Sequence, residues 1–267
     1  AFAVNASLHQ LVIYDNMKQS LMFYSTEDGR FVKSEKFNKP TPAEIAYWGG
    51  YFFYHNRLHR NYQDDISLHY YLLASKDGIT IGKRYFKHEN NKEDYPFSPS
   101  GHNLYDNNSK LYYCRDFDNI VYQIHEDSVV PRFRINLPNP LPASMIEERP
   151  NEMSLLRSGY SLGITDIYEY GGLLFFRFVK DGYIWSCLYN VEESKQVYCA
   201  KRIKFLDSSL IDTIDGIYKD CFYSILTPEY LDYAFSENPL EDYPDLFKTY
   251  DVEGDNPVIA FYRAVVR

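Results

Sequence analysis

Polar side chains able to do chemistry recur about once per repeating unit in this sequence. Asn5, Glu44, Asn103, Asp166 and Asp212 each stand in, or at the head of, a short strand-like run. Oxygen ligands converging from five segments could hold a hard cation such as Ca²⁺, which would polarise a lactone or phosphoester. A solvated polar channel accounts for the same five residues without a metal. Paired carboxylates, as glycoside hydrolysis requires, occur as Asp64-Asp65, Glu147-Glu148, or Glu229 with Asp166, although adjacent carboxylates in polar stretches are more simply solvated surface. His55, His59 and His69 are spaced by 4 and 10 residues over strand and loop, which is no zinc-finger pattern. The P-loop and G-x-G-x-x-G are missing, so no nucleotide cofactor is expected. Cys114, Cys187, Cys199 and Cys221 form no C-x-x-C pair, and each lies in an apolar run. They read as buried free thiols packing as small hydrophobes, with no metal held between them.

Aromatic residues offer a different chemistry. The chain has 27 Tyr, 18 Phe and 2 Trp, 18% of its 267 residues. Most, such as Tyr47, Trp48 and Tyr51–Tyr54, lie in apolar runs and read as packing between sheets. Tyr62, Tyr95, Phe97, Tyr160, Tyr230 and Tyr243 instead lie in polar inserts. Exposed rings stack on sugars or pack against proteins, and neighbouring Asp, Asn and Arg can satisfy hydroxyls. The expected wall of a binding site is therefore Tyr62, Asp65, Tyr95, Arg149 and Tyr160, with a glycan or a protein as ligand. Lys+Arg 28 against Asp+Glu 37 leaves a net charge of −9, and a surface that tracks phosphates needs the opposite sign, so nucleic acid is not an expected partner. No run of 18 apolar residues could form a transmembrane segment. The N-terminus carries no basic and apolar leader pattern.

Elements that could position these groups follow from period-2 runs bounded by turn residues. Four runs make a first unit: Phe2–Ala6, Leu11–Tyr14, Leu21–Ser25 and Arg30–Phe37. A second comprises Glu44–Trp48, Tyr51–His55, Ser67–Ala74 and Ile79–Phe86, and a third His102–Tyr105, Leu111–Arg115, Ile120–His125 and Arg132–Leu137. The fourth is Ile164–Tyr170, Leu173–Val179, Tyr183–Asn190 and Gln196–Lys204. The fifth has Ile211–Tyr218 and Cys221–Leu226, then an interruption with a predicted helix over Pro228–Phe235, then Pro257–Val265. Units this small cannot each bury a core, and their number exceeds what one sandwich holds, so the sequence predicts an all-β propeller of four-stranded antiparallel blades in a single domain, 1–267. The fifth unit lacks a fourth strand, and the chain opens on an inner one. About one blade and a closing strand are therefore expected upstream. Strand direction alternates within a blade, so links from second to third strand, and from fourth to the next first strand, share one face. The inserts Asn56–Ile66, Lys87–Gly101, Pro138–Gly163 and Thr227–Asn256 all occupy such links, and function is expected at that end.

Asp118-Asn119-Ile120-Val121-Tyr122-Gln123-Ile124 followed by Val130-Pro131-Arg132-Phe133 resembles a "D-x-I-Y-x-I … P-x-Y" run found in a family of six-bladed β-propeller proteins abundant in Bacteroidetes. Asp255-Asn256-Pro257-Val258-Ile259-Ala260-Phe261-Tyr262 is similar to that family's closing "D-N-P-V-L" strand, and Leu11–Phe37 to its second blade. The family's first blade, with its "G-x-G-P-G-E-Y" turn, has no counterpart here. The resemblance implies six blades in the complete protein and secretion to the cell envelope, in the periplasm or at the outer membrane. It also implies, in many members, a lipid anchor on an upstream cysteine; it carries no catalytic residues over. Two functional readings remain: a non-catalytic binding propeller, or a Ca²⁺-assisted hydrolase or lactonase with its site at the channel mouth.

Overall fold

The computed structural model describes residues 1–37, 41–56, 69–87, 98–99, 101–107, 109–126, 128–148, 150–201, 214–237, 250–251, 254 and 256–263. Its period-2 runs pair into five antiparallel sheets in which spatial order follows chain order. The first holds β1 (Phe2–Asn5), β2 (Gln10–Asp15), β3 (Ser20–Ser25) and β4 (Phe31–Lys36). The second holds β5 (Pro42–Trp48), β6 (Tyr51–Asn56), β7 (Tyr70–Ser75) and β8 (Lys83–Lys87). The third comprises β9 (Leu104–Asp106), β10 (Leu111–Cys114), β11 (Ile120–Ile124) and β12 (Val129–Arg134). The fourth, with the longest strands, is β13 (Ser161–Tyr170), β14 (Leu173–Lys180), β15 (Tyr183–Asn190) and β16 (Lys195–Ala200). The fifth has three strands among the described residues: β17 (Gly216–Tyr218), β18 (Cys221–Leu226) and β19 (Val258–Tyr262).

First strands of successive sheets pack against one another, β1 on β5, β5 on β9, β9 on β13 and β13 on β17. The sheets therefore stand as blades around an axis, with each first strand innermost. Alternation explains the packing. On β2, Val12 and Tyr14 are buried while Leu11 and Ile13 face the other way. Val12, Phe23, Ile45, Phe52 and Tyr54 fill the space between blades one and two. Phe53, Leu72, Leu111, Tyr113 and Ile124 fill that between two and three. Tyr112, Val121, Ile167, Phe175 and Phe222 belong to a larger core joining blades three, four and five. Each such side chain contributes roughly 2 kcal/mol of apolar transfer energy. Tight hairpins join β5 to β6 and β13 to β14. Gly49 and Gly50 have φ of +55° and +82°, and Gly171 and Gly172 of +58° and +76°, the positive values that a two-residue turn between twisted strands demands.

The long links all have the other parity. Residues 57–69 join β6 to β7, 88–103 join β8 to β9, and 135–160 join β12 to β13. That last link carries α1 (Ala143–Glu147) and α2 (Glu152–Leu156). Residues 201–215 lead into β17, and 227–257 join β18 to β19 through α3 (Pro228–Glu237). Because the pairing is antiparallel throughout, the strand ends that these five links join lie at one end of the blades.

One cysteine expectation is corrected. Cys187 and Cys199 are joined by a disulfide across β15 and β16, where they are directly paired in register. Cys114 and Cys221 are free thiols, the first buried.

Candidate functional site: a polar cavity at the axis

The inner strands of the third and fifth blades, with Tyr168 of the fourth, enclose a cavity of about 390 Å³. Its wall includes His102, Tyr105 and Asp106 from β9 and the residues just ahead of it, and Asp215 and Tyr223 from the fifth blade. Tyrosines hold this wall in place. The Tyr105 hydroxyl donates to the carbonyls of His102 and Thr165, binding blade three to blade four. Tyr168 donates to the Asp215 carbonyl at 3.0 Å, binding blade four to blade five. The two rings meet edge-on, their centroids 6.1 Å apart. Both rings are buried in the core joining blades three to five and serve as fixed scaffolding.

Asp215 is oriented from below, its Oδ2 accepting the Ile225 backbone N–H at 2.7 Å. Gly216 follows, and across the β17–β18 pair lies Tyr223. A Cβ on Gly216 would sit 2.6 Å from the Tyr223 ring, so only glycine lets that ring lie flat against the inner strand. Burial pushes the Tyr223 phenol up, and the Asp215 and Asp106 carboxylates push it further. Asp106 and Asp215 thus face the same space from opposite blades.

Behind this wall, Asp166 is paired with Arg177 at 2.7 Å across β13 and β14. Burial raises the Asp166 carboxyl above the usual range, against the opposing pull of Arg177. Of the five polar residues expected at the axis, those described lie on or beside inner strands, and most of their polar groups serve the scaffold. Glu44 accepts the backbone N–H groups of Asn103 at 2.6 Å and of Leu104 at 2.9 Å, so its carboxylate pins β9 to β5. Asn5 caps the 3₁₀ turn Ala6–Leu8, accepting from Leu8 N at 3.1 Å. Asn103 donates to the Cys114 carbonyl. Asp212 lies outside the described residues. Among the described residues no three His, Cys, Asp or Glu side chains gather as a metal ion would need.

Of the expected wall residues, Tyr62, Asp65, Tyr95 and Arg149 lie outside the described residues. Tyr160 is half-buried, packed on the small core of Leu155, Leu162 and Val179 at the insert end. His59 is also outside the described residues, and buried His55 meets the Tyr113 hydroxyl at 3.2 Å. Sequence reasoning missed Asp106, Asp215 and Tyr223. A usable signal existed for two of them, since Asp215-Gly216 sits at the head of an inner strand with Tyr223 opposite in the following run.

Five blades around an axis with a polar cavity among their inner strands define a β-propeller with a concave site of ligand size. The chain belongs to the family described as domain of unknown function DUF4934, whose sequence pattern matches residues 1–263. No curated protein matches it. Among solved structures, a candidate exported protein of Bacteroides fragilis is similar with a TM-score of 0.77 and 16% identity, over 98% of this chain and 75% of that one. A DUF4221 family member from Bacteroides vulgatus follows at TM-score 0.42, 10% identity, and 72% and 64% coverage. BamB from Moraxella catarrhalis gives 0.41, 6% identity, and 84% and 53% coverage. The first likeness is one of fold. No helix among the described residues is long and apolar enough to cross a membrane.

Proposed function

We propose that this protein is a non-catalytic binding propeller of the cell envelope that recognises a glycan at the insert-bearing end and the axial cavity. The cavity of about 390 Å³ carries this reading, being within the range of small-ligand sites and lined by tyrosines, the half-buried Tyr223 among them, and by carboxylates. Aromatic faces stack on the C–H surface of sugar rings, and carboxylates accept their hydroxyls. The inserts bearing Tyr62, Asp65, Tyr95 and Arg149 would rim the mouth and extend the contact. A glycan array probed with the purified protein tests this. Binding that is lost in Tyr223→Ala supports it, and an array without a single hit overturns it in favour of a protein ligand. Calorimetry with Ca²⁺ separates the hydrolase reading, which requires a bound ion.

Export is supported by the description of the Bacteroides fragilis protein and by the Cys187–Cys199 disulfide, a bond at home in oxidising compartments. Attachment through a lipidated cysteine ahead of residue 1 belongs to the same reading, and metabolic labelling with a fatty acid tests it. A sixth blade completes the ring. Two apolar sheet faces that have no blade against them among the described residues support this. On the first blade Phe2 and Val4 are 67% and 51% exposed beside Leu11, Ile13, Met22 and Tyr24. On the fifth, Tyr218, Ile225, Ile259 and Phe261 are each about half exposed. One further four-stranded sheet would cover both.

A further inference from the structure

Resting on the reading of a sixth blade, we infer that the Tyr223 hydroxyl donates to a backbone carbonyl on that blade's innermost strand, which places the axial cavity at the closing junction of the ring. Three tyrosines line the cavity: Tyr105, Tyr168 and Tyr223. Two of them donate to the blade that follows. Tyr105, on the inner strand of blade three, donates to the Thr165 carbonyl of blade four. Tyr168, on the inner strand of blade four, donates to the Asp215 carbonyl of blade five at 3.0 Å. Tyr223 is the cavity tyrosine of blade five, and its hydroxyl has no hydrogen-bond partner among the described residues.

Strand alternation fixes the side to which this phenol turns. Its neighbours Phe222 and Ser224 are buried, and Phe222 belongs to the core shared with blades three and four. Tyr223 lies on the opposite face, together with Tyr218, Ile225, Ile259 and Phe261. The Phe261 ring meets those of Tyr218 and Tyr223 at centroid distances of 5.9 and 6.4 Å, so the open apolar face runs on into the cavity wall. The occupant of that face is the segment ahead of residue 1. At each described step the outermost strand of one blade feeds the innermost strand of the next, β4 into β5, β8 into β9 and β12 into β13. The chain that feeds β1 would then be the outermost strand of a blade standing between blades five and one. Inner strands of successive blades touch throughout, so the innermost strand of this blade would come against β17 and the Tyr223 ring that lies on Gly216. A phenol covered by a strand needs an acceptor, and a backbone carbonyl there repeats the bonds of Tyr105 and Tyr168.

The test uses the full-length protein, upstream segment included, and two readouts. The first is nitration of tyrosines followed by peptide mass spectrometry. Tyr218 and Tyr183 are each 53% exposed on the five blades, so a sixth blade should make Tyr218 react about tenfold or more slowly than Tyr183. The second is urea unfolding of Tyr223→Phe beside Tyr168→Phe. Each should lower the folding equilibrium constant about fivefold or more, because each takes a hydroxyl from a backbone carbonyl. Among the described residues Tyr223→Phe breaks no hydrogen bond, so a loss of that size has its source beyond them. Protection of Tyr218 with unchanged stability of Tyr223→Phe overturns the inference and leaves the sixth blade standing. Equal nitration of Tyr218 and Tyr183 overturns the sixth-blade reading and the inference with it. Protection that fades on dilution assigns the face to a second copy of the chain and also overturns both.

Discussion

Two glycines meet the same added methyl group with opposite expected consequences. Gly163, in β13, has a φ of +96° and lies against the neighbouring blade, where a Cβ would stand 2.7 Å from the Phe117 Cα and 2.8 Å from its carbonyl carbon. These are backbone atoms held by the Ile164 N–H bond to the Asp118 carbonyl at 3.1 Å. Reaching an ordinary contact of 3.4 Å means opening the blade junction by about 0.7 Å (3.4 − 2.7). Overpacking of that kind costs about 1–3 kcal/mol, and forcing an L-residue to this φ adds about 1–2 kcal/mol. Gly163→Ala should therefore lose about 3 kcal/mol, or about 6 °C or more in Tm. Gly216→Ala meets the far end of the Tyr223 side chain instead, at 2.6 Å. That ring is only half-buried and can swing away, so the loss should stay near 1 kcal/mol while the cavity wall is rearranged and glycan affinity falls about tenfold or more. Urea unfolding of both variants, with ligand titration of the second, measures the difference. Equal destabilisation by the two substitutions, or a Gly216→Ala protein that binds normally, would refute the distinction between rigid and yielding neighbours.

Glu169 should set much of the acid sensitivity. It takes Lys110 at 2.8 Å, Arg132 at 3.2 Å and the Tyr112 hydroxyl, all from the adjacent blade. Burial pushes its carboxyl up, but those partners outweigh it and hold it below the ordinary range. A depressed folded-state value stabilises above the unfolded pKa of about 4.3 and is lost as pH falls through the folded one. Glu169→Gln should thus cost about 1–3 kcal/mol at pH 7, with the gap closing near pH 3 in denaturation curves; a constant gap across that range would contradict the account. Reducing the Cys187–Cys199 disulfide, which spans a sequence separation of 12, should remove about 3 kcal/mol, read as a lower Tm with reductant that Cys187→Ser reproduces without it. Residues 1–267 produced alone should self-associate with rising concentration in light scattering. Replacing Phe2, Val4, Ile259 and Phe261 together by threonine should suppress this, and a strictly monomeric unaltered chain would count against the open-faced blades.

Strands rich in consecutive apolar and aromatic residues were legible at nearly residue precision. The run Leu21–Ser25 became β3 (Ser20–Ser25), and Leu173–Val179 became β14 (Leu173–Lys180). Short inner strands were less so, because they interleave polar side chains with apolar ones. The run His102–Tyr105 shrinks to Leu104–Asp106, and of Ile211–Tyr218 the described part pairs only from Gly216. The disulfide was not readable from the turn alone. Next to the turn Asn190 pairs with Lys195 and Tyr189 with Gln196, a register that would set Cys187 opposite Tyr198, and a bulge between Leu188 and Tyr189 shifts it so that Cys187 meets Cys199. The cavity was the least legible feature, since a carboxylate on an inner strand looks the same in sequence whether it faces the axis or clasps the next blade.

That ambiguity has a structural resolution. Inner strands in this propeller are too short to join blades through apolar contact alone, so polar side chains reach across to the neighbouring strand's backbone. Glu44 reaches the Asn103 and Leu104 amides, Tyr105 the Thr165 carbonyl, and Tyr168 the Asp215 carbonyl. Asn107 receives the Glu169 amide at 2.6 Å and donates to the Ile167 carbonyl. Every blade junction from the second to the fifth therefore carries at least one such clasp, and leaving its backbone partner bare would cost about 1–3 kcal/mol. Carboxylates and amides spent this way cannot also bind a ligand or a metal, which is why a count of polar residues on inner strands overstates the chemistry at the axis. Asp106 and Asp215 line the space between blades that are not sequential neighbours, and even there Asp215 accepts the Ile225 amide. A propeller of this kind thus uses much of the polarity of its inner strands to hold the ring.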